Sequence, residues 1–599
     1  MHIISAAVPA PWWTPLSYVS ETALAEGLRI AVPLGSSGRV ALTLPDSCGS
    51  EESSRRLKKI CSVIDEKPPL PEDLWKLIKW FGDTWFIGTG LAAKTVLPSK
   101  FFTEEKLPDI KAADDSPQPR QFSSESVYST KLSERWDRYM EIAESESGAL
   151  ILFPESKLAS AFWKAMPKGL KDRGALWPVS PAARWRLWRA ARSGDVGFIV
   201  GSPAAAFAPM RRLSAIVMDE ENSGSWRTQS HPVYHPRPLL GMRASFAGAR
   251  FVLGGSMPSS KSYMRIGQGS REDKNDAKLI FVSARDSQAA EFSALSGTLP
   301  LSVPLIREST EARNGGKWVF WLLDRRGYAS EIACGECGNT IRCARCGSAM
   351  RWEENKKCLR CVLCGSTEKV PESCPNCGGR MLTGSRPGLE ALYERIRTAL
   401  IYKFKNAMLV QDKEEKLPSG EQLKKEYPDG ALIVGTRRIL SLCDELSPAL
   451  VGWIDADAEA RGQGYDARAR AFSMLWESMW RGDSDNRKVV VQSRRPASGW
   501  QEGLRRGWQV FWKRELRERS ELELPPFTPL VRIKADNETV MKVAEVLESS
   551  ESEYWVQDEG EAEVWVRTRR FDALRALLAP FFSITATKKS YPTVSLYLD

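Results

Sequence analysis

Nine of the chain's twelve cysteines fall between Cys334 and Cys377. Eight of them form four Cys-x-x-Cys pairs, each followed directly by glycine: Cys334/Cys337, Cys343/Cys346, Cys361/Cys364 and Cys374/Cys377. Four thiolates hold one tetrahedral Zn²⁺, and glycine behind the second ligand can take positive φ, turning backbone N–H groups toward sulfur. Four such knuckles predict two zinc ions. Cys358 also stands at x-x spacing from Cys361, but Val362 follows that pair, so the glycine rule leaves Cys358 spare. Knuckles 334/337 and 343/346 have five residues between them, tight for closing on one ion, whereas 343/346 and 361/364 have fourteen, an ordinary ribbon gap. The expected arrangement is nested: Cys343, Cys346, Cys361 and Cys364 hold one ion, and Cys334, Cys337, Cys374 and Cys377 hold the other. The competing reading is a disulfide cluster, which needs an oxidising compartment. The N-terminus, Met-His-Ile-Ile-Ser-Ala-Ala-Val-Pro, has no basic segment and its apolar run ends at Pro9, so no secretory signal is read there.

Asp219 and Glu220 follow an apolar run, as carboxylates that hold Mg²⁺ and activate water do. The competing reading is a pair of capping or surface carboxylates at a strand end. A triphosphate would also need a glycine-rich loop ending in Lys-Ser/Thr, and no Gly-Lys-Ser/Thr occurs in the chain. The loop Ile142-Ala-Glu-Ser-Glu-Ser-Gly148, before the apolar run Ala149–Phe153, has no lysine, and Glu144 and Glu146 would repel phosphate. Gly88-Thr-Gly-Leu-Ala-Ala-Lys-Thr95 is one residue short of a phosphate loop and reads more simply as a core segment. Arg184, Arg186, Arg189 and Arg192 interleave with Trp185 and Trp188 at helical spacing. Arg505, Arg506, Lys513, Arg514, Arg517 and Arg519 crowd a second helix. Arginine beside aromatics suits phosphate contact and base stacking; a solvated helix face gives the same pattern.

The elements that must position these residues are legible as periodic runs. The 599-residue length allows about four domains. With 42% apolar and 27% charged residues the chain reads as soluble and globular. No apolar run approaches the ~18 residues of a membrane span. Zinc thiolates without a signal point to the cytoplasm, and the net charge of +10 suits a polyanion. Residues 1–102 alternate as short strands (29–34, 39–44) before an amphipathic helix near Pro71–Trp85. Residues 103–128, rich in Ser, Pro and acid, read as a linker. Short apolar strands at 149–153, 196–200, 213–218 and 250–253 imply a doubly wound α/β sheet, and those at 318–323, 407–410, 431–434, 450–454 and 488–492 a second one. The cysteine module, 332–384, is inserted after the first strand of the second set. The tail beyond the basic helix reads strand–helix–strand–strand–helix–strand, a ferredoxin-like α+β unit. The expected domains are 1–102, 129–300, 301–331 with 385–500, 332–384 and 501–599.

This order of parts resembles the primosomal protein N′ (PriA) family of replication-restart helicases. The resemblance rests on Leu323-Asp-Arg-Arg-Gly-Tyr-Ala329 running into Cys334, Cys374-Pro-Asn-Cys-Gly378, Asp455-Ala-Asp457 before Tyr465-Asp-Ala-Arg-Ala-Arg-Ala-Phe472, and Leu524-Pro-Pro-Phe527. It implies two RecA-like helicase lobes, eight zinc cysteines on the four knuckles, forked or single-stranded DNA as partner, recruitment of primosome proteins, and residence at the nucleoid. It also implies that residues 1–102 form a module for a strand's 3′ end, with Tyr18 in its pattern, although the family's Phe-Asp is Leu16-Ser17 here. Between 98 and 129 there is no room for the family's winged helix. The motor motifs depart from the family. Its fourth acidic-motif residue, histidine, is Asn222, and Gly255-Ser-Met-Pro-Ser259 stands for Ser-Ala-Thr-Pro-Ser. Of the arginine motif only Arg481 remains, with Ser484 at the second position. An arginine finger is worth about 10³–10⁵ in rate, so the expectation is a DNA-binding scaffold with little or no ATP hydrolysis and no bound ATP/Mg²⁺. An active 3′→5′ helicase with divergent motifs is the alternative. So is a zinc-ribbon adaptor without DNA: the cysteine module carries seven Lys/Arg and five Asp/Glu, and two Zn(Cys)₄ centres would bring that +2 to about −2.

Overall fold

The computed structural model describes residues 2–35, 37–45, 57–108, 121–266, 278–283, 301–323, 332–334, 339, 341–345, 350–353, 358–361, 366–380, 382–384, 388–410, 417–460, 464–482, 484–493, 496–497, 499–550, 553–557, 562–584 and 591–599. Contacts divide the chain into two units, one of residues up to Ser262 with the tail from Glu523, the other spanning Tyr263–Leu522. Among the described residues no helix is long and apolar enough to cross a membrane.

The first unit opens with β1 (His2–Ala7), β2 (Leu16–Ser20), β3 (Arg29–Leu34), β4 (Ser37–Thr43) and β5 (Ser62–Val63), an antiparallel sheet in the order β2-β1-β4-β3-β5. Helix α1 (Glu72–Thr84) follows within the expected bounds and buries Leu74, Leu77, Ile78 and Phe81, its apolar stripe. The segment Gly88–Thr95 lies inside α2 (Gly88–Val96), so it is a helix and not a phosphate loop. A Cβ on Gly90 would lie 1.8 Å from the Val8 carbonyl oxygen; this glycine serves close packing.

The next sheet comprises β6 (Ser123–Tyr128), β7 (Ala149–Leu152), β8 (Gly174–Leu176), β9 (Phe198–Gly201), β10 (Ala215–Met218) and β11 (Arg250–Gly255), all parallel, in the order β6-β11-β10-β7-β9-β8. Strands β7, β9 and β10 are buried throughout, as a parallel sheet covered on both faces requires. Strand β6 corrects the expected linker: its polar residues pair with β11 from Ser123↔Arg250 to Tyr128↔Gly255. An edge strand needs no apolar run, so composition concealed it. Helix α3 (Leu132–Ser145) joins β6 to β7.

In the second unit, β12 (Leu279–Ser283) and β13 (Val319–Leu322) precede the cysteine module, which holds β14 (Ile332–Cys334), β15 (Met350–Glu353), β16 (Cys358–Cys361), β17 (Thr367–Glu368) and β18 (Leu382–Gly384). Then come β19 (Ala407–Val410), β20 (Leu432–Gly435), β21 (Leu450–Trp453) and β22 (Lys488–Ser493). The large sheet has the parallel order β12-β22-β21-β13-β20-β19. Strand β12 corrects the boundary expected at residue 300, because it pairs with β22 of this second sheet.

The tail of the first unit is β23 (Leu530–Lys534), a helix (Asn537–Ser549), β24 (Tyr554–Gln557), β25 (Glu563–Arg567), a helix (Phe571–Leu578) and β26 (Thr593–Tyr597). The antiparallel order β24-β25-β23-β26 is the expected split βαββαβ. Its core residues Val531, Ile533, Val564, Val566, Val594 and Leu596 are buried with Leu547, Leu574 and Leu578 of the two helices. Trp13 of the N-terminal domain stacks on Phe582 at 3.8 Å.

Candidate functional site

In a parallel sheet, reactive side chains gather in the loops leaving the strands' carboxyl ends. Asp219, Glu220 and Glu221 leave β10 at that edge. Asp219 is 1% exposed. Its Oδ1 accepts from Arg135 Nε at 3.0 Å and from the Tyr139 hydroxyl at 2.8 Å. Arg135 also donates to Glu220 Oε1 at 2.8 Å and to the Ser129 carbonyl at 2.5 Å. Burial alone would lower the Arg135 pKa; the charges of Asp219 and Glu220 reverse this and raise it. Burial, and then the Asp219 charge, hold the Tyr139 phenol well above its usual value, so it stays a donor. Glu220 has φ +44° and is fixed there by Ser256, whose N–H and hydroxyl donate at 3.1 and 3.0 Å. Glu221 accepts from the Tyr128 hydroxyl at 2.8 Å and the Ser259 N–H at 2.7 Å, and pairs with Arg237. Burial would raise its pKa, but Arg237 and the Ser259 N–H outweigh that and lower it. The segment Gly255–Ser259 thus clamps carboxylates from the backbone side. A hard cation takes naked carboxylate oxygens; here the Arg135 guanidinium takes one oxygen of Asp219 and one of Glu220.

The loop into which a triphosphate would settle is not the one the sequence suggested. Ile142–Ser145 are the last turn of α3, and 146–148 lead into the amino end of β7. Glu146 lies 3.9 Å from Arg250, the first residue of β11. That edge is separated from Asp219 by the length of the strands, about 13 Å at ~3.3 Å per residue. Gly148 is there for contact: a Cβ would lie 1.7 Å from the Arg212 carbonyl oxygen. The loop leaving a carboxyl end beside the carboxylates is 129–131, between β6 and α3. Three residues cannot form an eight-residue phosphate cradle. Polar groups of Ser129 and Lys131 are engaged as well. The Ser129 N–H donates to the Gly255 carbonyl at 3.1 Å, the Lys131 N–H to the Ser129 hydroxyl at 3.1 Å, and the Lys131 ammonium lies 3.2 Å from Glu134. Arg135, Tyr139 and Ile142 recur at i, i+4, i+7 on the buried side of α3. An arginine inside an apolar stripe was the signal for this network.

In the second unit the surviving motif arginine is engaged too. Arg481 grips Asp444 at 2.8 Å and Glu477 at 2.6 Å, and its side chain is 8% exposed. Ser484 is buried.

The cysteine module brings Cys334, Cys374 and Cys377 together, with sulfurs within 4.8 Å of one another. Cys334 Sγ and Cys377 Sγ are 3.6 Å apart. A disulfide would bring two sulfurs to ~2.05 Å, whereas ~2.3 Å Zn–S bonds in a tetrahedron space them by about 3.8 Å. These thiols fit zinc. Pairing of β14 with β18 sets Cys334 opposite Leu382, five residues beyond Cys377. The same hydrogen bond, from the first cysteine's N–H to the carbonyl five residues on, recurs at Cys334→Asn339 (2.9 Å), Cys361→Ser366 (2.8 Å) and Cys374→Gly379 (2.8 Å). Gly378 has φ +71°, the conformation expected behind a second ligand. Cys343 lies 3.0 Å from the Ser366 hydroxyl, beside the third knuckle. Strand alternation sets Cys358 on the face opposite Cys361. Cys337, Cys346 and Cys364 lie outside the described residues.

The arginines and aromatics proposed for DNA divide. Trp185 and Trp188 are buried and stacked at 5.1 Å, so they serve the core. Arg192 is 5% exposed and donates to the Pro69 and Pro108 carbonyls. Arg184 donates to the Pro178 carbonyl at 2.8 Å, and Arg189 lies 3.8 Å from Glu105; Arg186 is exposed. Of the second cluster Arg505, Arg506, Lys513 and Arg514 are exposed, Arg506 pairing with Glu502 and Arg514 with Glu518. Tyr18 is buried, its hydroxyl donating to the Pro33 carbonyl at 3.2 Å.

The profile of the PriA 3′DNA-binding domain (3′BD) matches residues 5–98, the five-stranded sheet with α1 and α2. Replication restart protein PriA of Treponema pallidum is 24% identical over 554 residues, 86% of this chain and 83% of its own. That of Rickettsia felis is 25% identical over 583 residues, 91% of this chain and 89% of its own. That of Bacillus subtilis is 25% identical over 377 residues, 61% of this chain, which spans 46% of that longer relative. Across most of its length the chain is similar to these relatives, and over its opening sheet to that domain's profile, a resemblance to the PriA replication-restart family.

Proposed function

We propose that this chain is a replication-restart DNA-binding protein that recognises forked or single-stranded DNA, recruits replication proteins and does not hydrolyse ATP. The observation that carries the silent motor is Arg135, held by both Asp219 and Glu220 beside a three-residue loop. Phosphoryl transfer is catalysed by positioned cations and donors. Here the carboxylates are neutralised from within and Arg481 is committed to Asp444 and Glu477. DNA as partner is supported by the domain that matches a 3′DNA-binding profile and by the basic balance of the chain. The four knuckles are proposed to hold two Zn²⁺, on Cys334, Cys337, Cys374 and Cys377 and on Cys343, Cys346, Cys361 and Cys364. The metal would fix the module's fold, since four thiolates leave no open position for substrate.

The test is DNA-stimulated ATP turnover by the whole chain and by Asp219→Asn. The expected result is the same background rate for both, with retained binding to forked DNA. Turnover that the substitution abolishes would overturn the proposal.

A further inference from the structure

We infer that the open face of the C-terminal sheet is a stacking platform for unpaired DNA bases, an inference that rests on the DNA-binding reading above and gives it a specific surface. One face of this sheet is covered by its two helices. Strand alternation sends Arg532 and Lys534 of β23, Trp555 of β24, Trp565 and Arg567 of β25 and Tyr597 of β26 to the other. The register sets Trp555 opposite Trp565 and Trp565 opposite Arg532, a continuous row across three strands. The two indole planes are within 3° of parallel, their centroids 6.1 Å apart, and Trp565 meets Tyr597 at 5.1 Å. The Arg532 guanidinium rests 5.6 Å from the Trp565 ring and 5.5 Å from the Tyr597 ring, and Arg227 lies 4.4 Å over Tyr597.

Cross-strand aromatic pairs stabilise sheets by themselves. That explains Trp565 against its neighbours. It does not explain an indole left 40% exposed at Trp555. Nor does it explain a guanidinium set among rings with its buried Nε lacking a hydrogen-bond partner among the described residues. The charge on the face is complementary to phosphate: Arg532, Lys534 and Arg567, with Arg227 above, stand against Glu563, which takes Lys534 at 3.4 Å. Arg567 is shared with Glu553 and Glu523 at the rim. An aromatic floor with a cationic border recognises a single strand, whose bases offer free π-faces; a duplex keeps its bases stacked inside.

The experiment measures binding of the whole chain to a 3′-phosphorylated oligothymidylate of about 20 nucleotides, longer than the ~4–16 nucleotides one small domain covers. Blocking the 3′ end removes any contribution from recognition of a free terminus. Trp555→Ala should weaken binding by about tenfold or more, Trp555→Phe should retain most of it, and photocrosslinks should map to Trp555 and Trp565. Binding of a blunt duplex should be unchanged, and near-ultraviolet circular dichroism shows whether Trp555→Ala keeps its fold. If both variants bind the oligomer like the parent chain and crosslinks fall elsewhere, the platform is refuted while the DNA-binding reading stands. If the parent chain binds neither single-stranded nor forked DNA, that reading falls and takes the platform with it.

Discussion

Arg135 is the single side chain that ties two carboxylates of the first unit together. It sits 4% exposed between two carboxylates, with Tyr139 completing the set. Truncating one member of a buried ion pair leaves the other charge unsolvated, typically a loss of 3–5 kcal/mol. Arg135→Ala should therefore lower the stability of the first unit by about that amount in urea unfolding, and Arg135→Ala/Asp219→Asn by clearly less. Equal losses would mean that the network is not coupled. Nearby, His235 caps the helix Pro236–Ala247, its Nδ1 accepting the Arg237 N–H at 3.2 Å. Burial, then Arg237 and Arg227, hold its pKa well below 6.5, and burial lowers that of His231. With the folded pKa depressed, the unfolded chain binds more protons below its own value. Stability is thus complete above ~6.5 and falls as pH drops from there toward the folded value. Thermal unfolding from pH ~7.5 to ~5.5 should show a declining midpoint, and His235→Asn should flatten that decline.

Knuckles, strands and loops carry different amounts of their structure in local sequence. A Cys-x-x-Cys-Gly turn is complete within six residues, so the positive φ behind its second cysteine was readable directly, as Gly378 illustrates, whereas the Cys374 N–H to Gly379 carbonyl bond came only with the structure. Buried strands such as Ala149–Leu152 and Leu432–Gly435 announced themselves through unbroken apolar runs. Ser123–Tyr128 did not, because an edge strand takes its identity from its neighbour. Leu279–Ser283 was legible as apolar, but only pairing with Lys488–Ser493 assigns it to the second sheet. Missing that first edge strand displaced the phosphate loop by a whole helix, onto the wrong edge of the sheet. The nested pairing leads to a measurement at this scale. Metal analysis should give two zinc per chain. Cys374→Ser should lower that content and unfold the module, since structural zinc carries roughly 10–16 kcal/mol of apparent binding energy in small peptides. Cys358→Ser, on the opposite strand face, should leave it at two. One zinc in the parent chain, or loss of zinc on changing Cys358, would refute the pairing.

Across the whole molecule, charge is distributed between stability and binding, and the two can be separated. The chain carries 85 Lys and Arg against 75 Asp and Glu. Many of these charges, though, are internal wiring. Arg29 pairs with Asp65, Arg243 with Asp73 and Arg519 with Glu515, all with side chains almost fully covered. Arg192 holds two backbone carbonyls. Such groups cannot release counterions when DNA arrives. Lys513 and Arg514, exposed on the helix Trp508–Glu521, are the residues proposed to do so. Each phosphate neutralised contributes about −0.9 to the slope of log K against log salt on duplex and about −0.7 on single strands. Lys513→Ala/Arg514→Ala should flatten the slope for forked DNA by roughly one to two units without altering the unfolding midpoint much. Arg192→Ala should lower the midpoint and leave the slope as it was, because its charge faces protein carbonyls. If the Arg192 variant flattens the slope instead, while the Lys513/Arg514 variant does not, the division of the basic residues into structural and DNA-facing sets is wrong.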